Sequence, residues 1–85
     1  MNHKEMTKHI RGRIKVAGIK TSVCKMTACG SDYIRVSTAS HEQRFTDEEM
    51  VAINTICKSN GLTSVRGMEI EIEKPFAQGS FYMPR

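Results

Sequence analysis

Residues 45–62 read FTDEEMVAINTICKSNGL, and this stretch carries a helix signal at both ends. Thr46 is placed to cap the N-terminus. Glu49, three residues on, closes a capping box in which two leftover backbone N–H groups are satisfied reciprocally. Phe45 and Met50 take the two positions of a hydrophobic staple across that cap. Asp47, Glu48 and Glu49 put negative charge in the first turn, where the helix dipole favours it. At the other end Gly61 suits the left-handed C′ position, and Leu62 folds back toward Cys57 as in a Schellman motif. Between the caps, Met50, Ile53, Ile56 and Cys57 share one side at helical spacing. That side has to be covered, and the rest of the chain is read by what it supplies for the purpose.

Upstream, the spacing predicts a first helix over 3–17. Met6, Ile10, Ile14 and Ala17 share one face, with His9 and Arg13 at its edge. Lys4, Lys8, Arg11 and Lys15 form a basic stripe on the opposite side. Gly12, in the middle, costs on the order of 1 kcal/mol relative to Ala unless another backbone approaches it closely. Gly18 ends the helix and Ile19 reaches back to Ile14, so AGIKTSV (17–23) and NGLTSV (60–65) carry the same helix-ending chemistry.

Residues 20–28 and 33–38 read as two strands, rich in Val, Ile, Thr and Tyr, joined around Cys29-Gly30-Ser31-Asp32. Alternation sets Cys24, Met26 and Ala28 against Val23, Lys25 and Thr27, and Ile34 and Val36 against Tyr33, Arg35 and Ser37. The expectation is that the first strand's Cys24 set and the second strand's Ile34 and Val36 face the helices. Lys25, Tyr33 and Arg35 then lie on the open side. Over 63–73, Met68, Ile70 and Ile72 alternate with Glu69, Glu71 and Glu73, a third strand that Pro75 stops. The expected fold class is α+β in the order α-β-β-α-β. Its three-stranded, mostly antiparallel sheet has two helices packed on one face. Residues 1–75 form the domain, and 76–85, with Phe76, Phe81, Tyr82 and Met83, form an aromatic C-terminal tail without periodicity.

The chain of 85 residues supports one modest core. With 39% apolar and 26% charged residues it reads as an ordinary globular chain. No apolar run is long enough for a membrane span, and the basic start is not followed by a signal-like apolar stretch, so no membrane partner is expected. Three cysteines, an odd number, argue against a disulfide framework and for reduced thiols in a cytosolic protein. The net charge of +4 is uneven: residues 1–20 hold six Lys or Arg against one Glu, while 45–60 hold three acids against one Lys. A basic end points to a polyanion or an acidic protein surface as partner.

Chemistry finds little purchase. Cys24, Cys29, Cys57 and His41 carry metal-binding atoms, but one C-x4-C and a distant third Cys lack the paired close spacings of a zinc site. Cys29 sits in a turn with no base placed beside it by the sequence, and no Gly-rich phosphate loop is present. The expectation is a protein that is not an enzyme and uses no cofactor.

The segments HIRGRIKVAGIK (9–20), YIRVS (33–37), RFTDEE (44–49) and NGLTSVRGMEIEI (60–72) resemble small accessory proteins of bacteriophages and other mobile elements. Over most of residues 7–72 the layout is similar to the large polyvalent protein-associated domains of such elements. The element order also resembles BolA-like and KH-like modules, without the Gly-x-x-Gly loop of the latter or the His-Arg segment of the former. The resemblance implies a non-enzymatic anti-defence protein, of the anti-CRISPR kind, that binds a host protein or nucleoprotein complex and blocks it by occupying a surface. The alternative is a small basic regulator that binds nucleic acid directly, and a third reading is a homodimer formed through an exposed strand edge. The residues expected to meet the partner are Lys4, Lys8, Arg11, Lys15, Lys25, Tyr33 and Arg35, with Phe81 and Tyr82 as buried anchors.

Overall fold

A computed structural model describes residues 2–40, 44–68 and 78–83. Six elements follow in the order α1 (His3–Val16), β1 (Thr21–Ala28), β2 (Ser31–Thr38), α2 (Asp47–Ser59), β3 (Thr63–Arg66) and β4 (Gln78–Tyr82). The strands form one antiparallel sheet in the order β1-β2-β4-β3, and the fold class is α+β with two helices.

Both helices end as their sequences specify. The Thr46 hydroxyl accepts from the Glu49 N–H at 3.1 Å, and the Glu49 carboxylate accepts from the Thr46 N–H at 2.9 Å. Phe45 and Met50 are buried on either side of this cap. At the C-termini the same pair of bonds forms twice. Leu62 N–H donates to the Cys57 carbonyl and Gly61 N–H to Lys58. Ile19 N–H likewise donates to Ile14 and Gly18 N–H to Lys15. Gly61 and Gly18 take the positive φ, 83° and 80°, that this Schellman geometry requires.

The hairpin between β1 and β2 is tighter than expected. Ala28 pairs with Ser31, so the loop is Cys29-Gly30 alone, with φ of 51° and 78°. Two successive positive φ values are those of a type I′ turn, whose twist matches that of the flanking strands.

The core consists of Met6, Ile10 and Ile14 from α1, Ile19, Val23 from β1, Ile34 and Val36 from β2, Met50, Ile53 and Cys57 from α2, and Phe45, Leu62, Met68 and Phe81. Ala17, expected on this face, is exposed, and Ile56 is partly buried. Both apolar helix stripes lie on the side of the sheet that carries Val23, Ile34, Val36 and Phe81.

Three expectations are corrected. First, the sheet has four strands and the order is α-β-β-α-β-β. Residues 78–82 of the expected aromatic tail are β4, a central strand between β2 and β3. Because β4 runs antiparallel to both, β2 and β3 are mutually parallel, and the chain crosses between them through α2, leaving a slot that β4 fills. Phe81 is fully buried there opposite Ile34. It belongs to the core and is removed from the partner-binding set.

Second, β1 presents the other set of residues. Val23 pairs with Val36 and Lys25 with Ile34, so Val23 is buried and Cys24 and Met26 share the open side with Arg35 and Tyr33. A period of two makes this an all-or-none choice. The stiff, β-branched Val23 takes the interior site that Cys24 and Met26 were expected to fill. Lys25 therefore lies on the helix side of the sheet, exposed at its edge.

Third, β3 stops at Arg66, after a register shift between Ser64 and Arg66. Of the expected alternation only Met68, which is buried, is described; Ile70, Ile72, Glu69, Glu71 and Glu73 lie outside the described residues, as do Pro75, Phe76 and His41.

Two glycines separate by environment. A Cβ on Gly12 would meet nothing within 4 Å, so no backbone approaches the middle of α1. A Cβ on Gly79 in β4 would sit 3.2 Å from the Arg66 carbonyl oxygen and from Phe81 Cε2, and 3.3 Å from Met68 Sδ. Opposite effects of the same substitution are expected in thermal or urea unfolding. Gly12→Ala gains about 0.5–1 kcal/mol from helix propensity, whereas Gly79→Ala loses about 1–3 kcal/mol through overpacking against a fixed carbonyl. Equal effects at the two sites would contradict the placement of β4.

Candidate docking surface

The candidate surface is built on α1. Asn2 caps the helix, its side-chain oxygen accepting from Glu5 N–H and its amide donating to the Glu5 carboxylate, both at 2.8 Å. Met6, Thr7, Ile10 and Ile14 face inward, and the Thr7 hydroxyl is satisfied by the His3 carbonyl at 2.8 Å. Lys4, Lys8, Arg11 and Lys15 are all exposed on the outer stripe.

Three side chains fix the helix in place. His3 Nε2 lies 2.9 Å from the Tyr33 carbonyl, and because a carbonyl only accepts, that nitrogen carries the proton. The other ring nitrogen is 3.6 Å from an Asp32 carboxylate oxygen. Arg11 donates from Nη2 to the Val23 carbonyl at 2.8 Å. On the far side His9 Nε2 meets the Asn60 side-chain oxygen at 2.9 Å, while the Asn60 amide donates to the Ile56 carbonyl at 2.8 Å. His9 thus ties α1 to the end of α2, and His3 and Arg11 tie it to the sheet.

These anchors set the direction of α1 along β1. Arg11 is level with Val23, and His3 is level with Tyr33, whose β1 partner is Met26. The helix therefore runs antiparallel to β1, and Lys25 falls between the two anchors, on the same side of the sheet as the α1 stripe. Lys4, Lys8, Arg11 and Lys25 are brought to one flank, with Lys15 continuing it toward the helix C-terminus. Arg11 also occupies a carbonyl of edge strand β1, which blunts that edge against pairing with a second copy.

The remaining expected residues are on another surface. Cross-strand partners share a face, and three rows cross the open side of the sheet: Met26–Tyr33–Tyr82–Thr63, Cys24–Arg35–Ser80–Arg66 and Ser22–Ser37–Gln78. Tyr33, Arg35 and Tyr82 therefore stand together, away from the α1 flank. Ser22, Ser37, Ser80 and Gln78 complete this face and were not singled out from the sequence. The alternation Gln78-x-Ser80-x-Tyr82 was the available signal.

Reactive chemistry finds no assembled site among the described residues. No group of three or more His, Cys, Asp or Glu that could hold a metal ion occurs there. Cys57 is fully buried, and that burial pushes its thiol up to about 12, far from the thiolate a nucleophile needs. Cys29 is exposed in the turn, and Cys24 is partly buried with Ser22 Oγ 3.8 Å from its sulfur. One cleft of about 330 Å³ is lined by Gly18, Lys20, Thr38, Arg44, Phe45 and Glu49, and a second of about 350 Å³ by residues that include Ser22, Arg35, Ser37, Ser40 and Gln78. Both are open and mixed in polarity, unlike the enclosed apolar pockets that hold small substrates. No described helix is long and apolar enough to cross a membrane. Comparison with protein-family models, with curated proteins and with solved structures found no match to this chain.

Proposed function

We propose that this chain is a non-enzymatic protein of phage or mobile-element origin that acts in the host cytoplasm. In this reading it binds a host defence complex of the CRISPR–Cas type and blocks it by covering a surface. The observation that carries the reading is the flank formed by Lys4, Lys8, Arg11, Lys15 and Lys25, on a helix tied to the sheet by the Arg11–Val23 and His3–Tyr33 bonds. Such a row of cations fits an acidic protein patch or the bound nucleic acid of a nucleoprotein complex, and its sign speeds encounter with either.

Plating efficiency of phage on hosts that each carry one active CRISPR–Cas system tests the proposal. Expression of the chain is expected to restore plating by several orders of magnitude on at least one host. The Lys4→Glu/Lys8→Glu/Lys15→Glu variant, folded to the same melting temperature, is expected to restore none. Restoration by that variant equal to the parent would remove the flank from the interface, and no restoration on any host would remove the function.

A further inference from the structure

The open face of the sheet is a second surface, separate from the flank, and its chemistry is specific enough to name an occupant. Tyr33 and Tyr82 are direct partners on β2 and β4, the two central strands. Their ring centroids are 6.4 Å apart and the rings are perpendicular, at 89°. They do not stack on one another, so ring surface remains turned outward, and Tyr82 is 41% exposed. One row along lies Arg35, half-buried between Cys24 and Ser80, with Arg66 at the edge of the same row. The next row, Ser22–Ser37–Gln78, lines with Arg35 the cleft of about 350 Å³. Among the described residues of this face there is no carboxylate: Asp32, the only acid of the described strands, points to the helix side, where it meets His3.

We infer that this face binds single-stranded nucleic acid, with a base stacked at Tyr82 and Tyr33, a phosphate on Arg35, and Ser22, Ser37 and Gln78 bonding to the phosphate or a base edge. Each part answers one part of an unpaired strand: a π face for a base, a cation for the backbone, short polar groups for the remaining acceptors. A duplex hides its base faces and cannot use the tyrosines. An acidic peptide would use Arg35 and leave the rings unmatched. Charge complementarity supports the same choice, since among its described residues the face presents Arg35 beside the tyrosines and no carboxylate, on a chain of net charge +4.

Fluorescence anisotropy with labelled 12-nucleotide oligo-U and oligo-dT, a dA·dT duplex of the same length and polyglutamate as competitor decides the matter. At 150 mM salt the flank is screened from this face over a Debye length of about 8 Å. Either single strand is expected to bind at least ten-fold more tightly than the duplex, and the preference between them tells RNA from DNA. Tyr82→Ala and Arg35→Ala should each weaken binding on the order of ten-fold or more, by lost stacking and lost phosphate contact. Tyr82→Phe keeps the ring, serves as the folding control and should bind as the parent does. Lys4→Gln/Lys8→Gln should leave the affinity within about two-fold, which separates this proposal from the reading of the flank. Absence of single-strand binding even at 50 mM salt, equal affinity for the duplex, displacement by polyglutamate, or loss in the flank variant in place of Tyr82→Ala would each overturn it.

Discussion

Phe81→Ala is expected to destabilise the protein by about 3–5 kcal/mol, the range for removing a fully buried aromatic and leaving its cavity behind. For a chain of this length that is a large part of a total stability of about 4–13 kcal/mol, so the variant should melt far below the parent or fail to fold at 37 °C. Phe81 has no exposed surface, lies opposite Ile34 in a central strand and is the largest fully buried side chain among the described residues. Its neighbour Tyr82, on the other face of the same strand, is 41% exposed. Tyr82→Ala should therefore cost at most about 1 kcal/mol, the scale of a lost cross-strand pair. Urea unfolding of the two variants reads this asymmetry directly. Near-equal, small losses would mean that the C-terminal segment is a detachable tail after all.

Ile10→Ala is expected to cost about 2–5 kcal/mol. Ile10 has no exposed surface and sits in the middle of α1, between His9, which bonds to Asn60, and Arg11, which bonds to Val23. Its loss weakens the seat of the helix on the sheet and on α2 together. Amide hydrogen exchange should accordingly quicken along α1 more than along β4. Exchange that rises only to the extent of global unfolding, uniformly in both elements, would show that α1 is not a separately anchored unit.

The sequence makes α2 and both helix ends readable because each signal there is local: a capping box, a staple and a glycine at C′ lie within a few residues of the bond they make. The inward stripe of α1 is readable for the same reason, as Met6, Ile10 and Ile14 recur at helical spacing. The sheet depends on partners distant in the chain, and there the reading falters. In β1, Val23 and Cys24 both offer apolar groups to the interior, and only pairing with β2 decides between them, carrying Lys25 to the helix side in consequence. In β4 the inward positions are Gly79 and Phe81, and a glycine erases the alternation by which a strand is known. That the segment lies between β2 and β3 follows from the α2 crossover, which no short window of sequence contains.

The candidate surfaces divide in the same way. The stripe Lys4, Lys8, Arg11 and Lys15 is a helical period and was legible in full. That Lys25 joins it, that Tyr33, Arg35 and Tyr82 form a separate face, and that Phe81 belongs to neither are consequences of strand register. Ser22, Ser37, Ser80 and Gln78 carried no distinctive signal singly. They gain meaning as rows across the sheet.

The central claim is that the protein acts by occupying a surface through its cationic flank, one molecule per target, without turnover. Titration of the purified chain into a fixed concentration of an active CRISPR–Cas complex, taken from a host on which the chain restores phage plating, with target cleavage as readout, tests this most directly. The expected result is a linear loss of cleavage that reaches its floor at a fixed whole-number ratio of chain to complex, and no loss with Lys4→Glu/Lys8→Glu/Lys15→Glu. Complete, time-dependent inactivation at a small fraction of one equivalent would mark a catalyst, and undiminished inhibition by the charge-reversed flank would place the interface elsewhere; either would contradict the account.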